Sequence, residues 1–110
     1  MLKIIEKPIN QEELEKLAEE IGKFFVKVVV DLEKGILCAG AKMHFEEEQE
    51  LINHGSQQNN LWGGGYDLEE KKITFDSIIN HRPKENPSEE ILNTQIREKF
   101  EKLVKYLFNV

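Results

Sequence analysis

The stretch KFFVKVVVDLEKGILCAGAKMHF, residues 23–45, decides the fold. Its valines and phenylalanines favour strand, and Glu33-Lys34-Gly35 supplies a turn before small and apolar residues resume, which predicts a β-hairpin. The arms fall at about 24–32 and 36–44. Alternation puts Phe24, Val26, Val28 and Val30 on one face of the first arm and Phe25, Lys27, Val29 and Asp31 on the other. The first face reads as core-bound and the second as half-solvated.

Upstream, LKIIE at 2–6 is a short strand candidate ended by Lys7-Pro8. A helix start comes next: Asn10 as N-cap, Glu13 as its capping-box partner, and Ile9 with Leu14 as hydrophobic staple. Leu14, Leu17, Ala18 and Ile21 form one stripe, and Gly22 stops the helix. Downstream, EEEQELINHG at 46–55 predicts a short helix with acidic residues at its N-terminus and Gly55 just past its end. YDLEEKKITFDSIINHRP at 66–83 then reads as a second hairpin, with a charged turn near 69–72 and a long arm from Ile73 to Arg82. PKENPSEE at 83–90 is the one linker-like segment, and Asn86-Pro87 or Ser88 can cap the helix after it. Leu92, Ile96, Phe100, Leu103, Leu107 and Phe108 mark one face of that final helix, which has about 20 residues. The order β-α-β-β-α-β-β-α predicts a two-layer α+β fold, with three helices on one face of a mainly antiparallel sheet of four or five strands.

A chain of 110 residues makes one domain, 1–110, with a radius of gyration of about 13 Å. Its formal charge is −6 and its lysines are scattered, which argues against binding nucleic acid. One cysteine, Cys38, rules out an intrachain disulfide and fits the reducing cytoplasm. MLKIIEKPIN lacks the apolar core of a signal peptide, and no run approaches the length of a membrane span.

GSQQNNLWGGGY, residues 55–66, gathers four amides, four glycines and the single tryptophan. A phosphate loop is disfavoured there, because no Gly-Lys-Ser/Thr comes after it and no helix begins; the glycines suit a bulge or a close backbone approach. His44 and His54 stand at opposite ends of the short helix, roughly 15 Å apart by its rise, so they do not share a metal ion. Cys38 sits mid-strand as a small hydrophobe, and Ser56 lacks the strand-to-helix elbow of an activated nucleophile. The strongest candidate site joins His44, Gln57, Gln58, Asn60, Trp62, Asn80 and Arg82. An arginine, an aromatic plane and several amides suit a small anionic ligand such as a carboxylate or phosphate. In the structural alternative, Arg82 pairs with a carboxylate, Trp62 fills the edge of the core and the amides brace the turn.

Taken together, Asp31, Glu33, Lys34, Gly35, His44, Gly55, Ser56, Gln58, Leu61, Trp62, Gly63, Ser77, Asn80, Arg82, Pro83, Asn86, Ser88, Glu90 and Ile91 form a pattern that resembles a family of small bacterial and archaeal proteins of unknown function. The resemblance runs over most of the chain, through a Val-Asp-x-Glu-Lys-Gly hairpin, a Gly-Ser-x-Gln-x-x-Leu-Trp-Gly loop and an Ile-Asn-x-Arg-Pro strand end. The chain departs from it at Met43, where the family has leucine, at Glu46, where it has a capping aspartate, and at Gly64-Gly65, where it has an Ile-Asn pair. The resemblance implies a shared fold and brings no catalytic residues.

The sequence supports two functions of different class. The first is a non-catalytic module that binds a small ligand or another protein, including a second copy of itself, with no cofactor and no metal. The second is a small hydrolase or transferase, with His44 as general base and Arg82 stabilising an anionic group. The first is favoured because no two titratable residues are placed by local sequence to share a proton.

Overall fold

The computed structural model describes residues 2–19, 22 and 24–110. The chain runs β1 (Lys3–Ile5), α1 (Gln11–Ala18), β2 (Phe25–Asp31), β3 (Ile36–Ala39), α2 (His44–Asn53), β4 (Leu61–Asp67), β5 (Lys72–Thr74) and α3 (Thr94–Phe108), with short 3-10 turns at Gln58–Asn60 and Ile78–Asn80. All five strands form one antiparallel sheet in the order β1-β3-β2-β4-β5. The fold is α+β with the expected element order, and its radius of gyration is 12.6 Å.

Local signals place the first elements. The Asn10 side chain accepts from Glu13 N at 2.9 Å and the Glu13 carboxylate accepts from Asn10 N at 3.3 Å, so the capping box of α1 forms as read. Ile9 and Leu14 are both buried, as the staple requires. Leu14, Leu17 and Ala18 form the buried stripe, while Ile21 lies outside the described residues. In β2 the alternation holds from Val26 on: Val26, Val28 and Val30 join a core with α1 and α3, and Val29 turns the other way; Phe24, expected on the core face, precedes the strand and is exposed, while Val29 and Asp31 on the face expected to be half-solvated are fully buried.

That division corrects the placement of the helices. α1 and α3 cover one face, where Leu14, Leu17, Phe100, Val104, Leu107 and Phe108 pack on the even-numbered valines of β2, Trp62 and Tyr66. α2 lies on the opposite face, where Leu51 packs with Val29, Ile36, Cys38 and Leu61. The short β3–α2 loop turns the chain to that side at Gly40, whose φ is +95°. The two expected layers are therefore complete, and α2 adds a partial third. Tight packing across β4 depends on its glycines. A Cβ at Gly64 would stand 2.7 Å from the Phe100 ring and 2.2 Å from Thr74 O, and one at Gly65 would meet the Phe25 ring at 2.2 Å.

Several expected boundaries move: the arm expected over 36–44 ends as a strand at Ala39, and the helix read from Glu46 begins at His44. The arm expected from Ile73 to Arg82 is a strand only to Thr74; Asp76 makes a single bridge to Glu90, and Ser77 caps the turn at Ile78–Asn80. The reason is Asn80, whose side-chain amide replaces a backbone strand: Gly63 N donates to its Oδ1 at 2.8 Å, and its Nδ2 donates to Gly63 O at 2.9 Å. The last helix has 15 residues and is capped by Asn93, which accepts from Gln95 N and Ile96 N. Asn86 cannot serve as the cap because its side chain bonds Asn80 O, Ser88 O, Glu90 O and Leu92 N, tying the 75–92 loop into one body.

Candidate functional site

The residues proposed as a site separate onto the two faces of the sheet. Trp62 points into the α1/α3 core and is 3% exposed. The Arg82 guanidinium sits over its ring, Cζ 3.7 Å from the centroid, while Nη2 donates to Leu61 O at 2.5 Å and reaches Gln58 O at 3.5 Å. Nη1 faces the Glu85 carboxylate at 3.7 Å without a hydrogen bond. Partial burial lowers the Arg82 pKa, and the guanidinium stays charged. Its planar fork therefore closes the end of β4 against the neighbouring loop, a role that a lysine ammonium cannot reproduce.

Of the candidate side-chain amides, Asn80 is engaged within the fold and those around the turn at 57–60 are only loosely held. Asn80 is fully buried on Gly63, with further bonds from Nδ2 to Phe75 O and Glu89 O. Asn60 N donates to Gln57 O and Asn60 O accepts from Leu32 N, which fixes the 3-10 turn before β4. The Gln58 side chain reaches Glu48 at 3.5 Å, and Gln57 is exposed. Ser56 donates to Asp31 Oδ2 at 2.6 Å, and Asp31 Oδ1 accepts from Glu33 N and Lys34 N, so this buried pair locks the β2–β3 turn to the loop after α2.

His44, the first residue of α2, is on the face away from Trp62 and Arg82. Its Nε2 lies 2.6 Å from Gly64 O. A carbonyl only accepts, so the proton sits on Nε2; burial lowers the pKa of the ring, and the neutral form leaves Nδ1 as a bare acceptor. Nδ1 has no protein partner among the described residues. The imidazole lines a cleft of about 320 Å³ with Phe25, Lys27, Met43, Phe45, Asp76, Ser77, Ile78 and Glu89. Met43, Phe45 and Ile78 are large apolar residues that are 59%, 58% and 71% exposed. The ring of Phe25 occupies the space a side chain at Gly65 would fill, which builds one wall from the glycine run.

Beneath α2 two titratable groups are fully buried. Glu47 Oε2 accepts from Ala41 N at 3.1 Å, Oε1 has no partner, and burial pushes its pKa up to about 9. Burial, reinforced by the nearby Glu47 carboxyl, pushes the Cys38 thiol up to about 12, so it stays protonated and unreactive. Among the described residues no group of three or more His, Cys, Asp or Glu side chains is placed to hold a metal ion. No described helix is long and apolar enough to cross a membrane.

Lys27, Asp76 and the exposed apolar rim were not singled out from sequence. Lys27 carries a local signal, as the one cation on its face of β2; Asp76 and Ile78 share an alternating face with Asn80 and Arg82 in the sequence, and the turn after Thr74 separates them from those two residues. The fold is a small α+β domain with an open cleft beside the N-terminus of α2. The chain belongs to the DUF5674 family, described as proteins of unknown function, which it matches over residues 3–107. No curated protein and no solved structure matches it.

Proposed function

We propose that the protein is a non-catalytic, cytoplasmic binding module and that its ligand enters the cleft beside His44. One observation carries this reading: a neutral imidazole, fixed through Nε2 on Gly64 O and with no partner for Nδ1 among the described residues, lines a cleft rimmed by the exposed side chains of Met43, Phe45 and Ile78. Exposed apolar groups around a few fixed polar atoms are the usual composition of a small-ligand site. At Arg82, by contrast, Nη2 already donates to Leu61 O, the buried Nη1 faces the Glu85 carboxylate, and the guanidinium sits over Trp62.

A metabolite screen read by thermal shift and by backbone amide resonances tests the proposal. Ligands are expected to raise the melting temperature and move the resonances of His44, Gly64 and Asp76. A strictly monomeric protein that no compound stabilises would remove the reading, because neither a small molecule nor a second copy would then use the surface.

The neutral imidazole also supports the catalytic alternative, in which His44 is a general base. Lys27, in the same cleft, would then stabilise the anionic group in place of Arg82. Turnover of an ester or phosphoester that His44→Gln abolishes, with the fold intact, would favour this second reading.

A further inference from the structure

The balance of groups around His44 says what kind of ligand the cleft takes. The inference rests on that cleft being the binding site. Its polar lining holds two carboxylates, Asp76 and Glu89, against one ammonium, Lys27. None of the three forms an ion pair among the described residues. When Lys27 pairs with one carboxylate, the other remains uncompensated. His44 adds no positive charge, and its Nδ1 asks for a hydrogen-bond donor. The lining is aromatic and polarisable: Phe25, packed over Gly65, together with Phe45 and Met43. Ring faces attract cations and repel anions, and a net charge of −6 on the chain extends the same preference into solution.

We infer that the cleft binds an organic cation: a flat or branched apolar body that carries a protonated amine, the body lying against Phe25 and Phe45 and the amine pointing to Asp76 and His44 Nδ1. This is opposite in sign to the ligand that the arginine and the amides suggest from sequence alone. The difference arises because Arg82 faces the other side of the sheet.

Three probes of one shape and different charge test it: phenethylamine, phenethyl alcohol and hydrocinnamate, titrated into the full chain near neutral pH and followed by amide resonances and calorimetry. The amine is expected to bind at least tenfold more tightly than the alcohol, to move the resonances of His44, Gly65 and Asp76, and to weaken as salt is raised. Asp76→Asn, at an exposed position, is expected to weaken the amine about tenfold and leave the alcohol unchanged. Glu89→Gln provides the same comparison should Asp76→Asn unfold. If the alcohol or the acid binds in the cleft as tightly as the amine, the site stands and the cation inference falls. If none of the three moves those resonances at millimolar concentration, the inference also falls, and the reading of the cleft as a ligand site rests on the wider screen.

Discussion

The two faces of the sheet share the same strands and differ in what they bury. On the α1/α3 face the buried side chains are almost all apolar, from Leu14 and Leu17 to Phe100, Val104 and Phe108, and two partly buried arginines edge it: Arg82 over Trp62, bonded to Leu61 O, and Arg97 over Phe75, bonded to Ile91 O. On the α2 face the apolar cluster is small, and among it lie the buried Glu47, Asp31, Ser56 and Ser77. One face is closed by shape, the other by hydrogen bonds, and the second leaves part of the sheet uncovered beside His44. Charge and aromaticity in the sequence thus mark an architectural contact as readily as a binding site. The cleft forms where packing is incomplete.

The largest expected effect tests the closed face directly. Phe100→Ala should cost about 3–5 kcal/mol in chemical denaturation, by leaving a cavity against Phe75 and Gly64, whereas Phe45→Ala on the open face should change stability by less than about 0.5 kcal/mol. Equal losses would remove the distinction. Next, Asn80→Ala should cost about 3 kcal/mol by the same measurement, since Gly63 N and O lose their partner in a buried edge. A near-neutral result would mean that backbone or water can replace the amide.

Glu47 offers a test with the opposite sign. Its folded pKa is raised to about 9 from an ordinary value of 4.5. Between those values the folded chain keeps a proton that the unfolded chain has released, so stability falls as pH rises through that window. Glu47→Gln should flatten this dependence and stabilise the protein by about 2 kcal/mol at pH 8, seen in denaturation curves from pH 5 to 9. An unchanged slope would show that Glu47 ionises freely in the fold. The smallest effect belongs to Arg82→Lys, about 1 kcal/mol, from loss of the guanidinium contact over Trp62 and of the Nη2 reach to Gln58 O. A loss of ligand affinity from that substitution, with the His44 resonances unmoved, would return the site to the closed face.

Much of the fold was legible residue by residue. The capping box at Asn10 and Glu13 and the Gly55 stop are local signals, complete within a few positions, and each is realised as read; the alternation along β2 holds for Val26, Val28 and Val30, but Phe24 is exposed and the face read as half-solvated buries Val29 and Asp31 under α2. The arm from Ile73 to Arg82 was not, because its alternating pattern is also satisfied by a chain whose edge pairing is taken over by the side chain of Asn80. The site was legible only in part. His44 could be named, but its partner Gly64 O, 20 residues on in sequence, and the cleft neighbours Lys27 and Asp76 come from three separate elements.

By itself the sequence determined the α+β class, the order of the elements, the hairpin around Gly35 and which side chains of β2 share a face, since hydrophobic periodicity and capping act over a few residues. Only the tertiary structure decided on which face α2 lies, that Arg82 stacks on Trp62 within the architecture, and that His44 opens on a cleft with two carboxylates. Periodicity states that a face is apolar; which of two apolar faces meets which depends on packing between segments far apart in the chain.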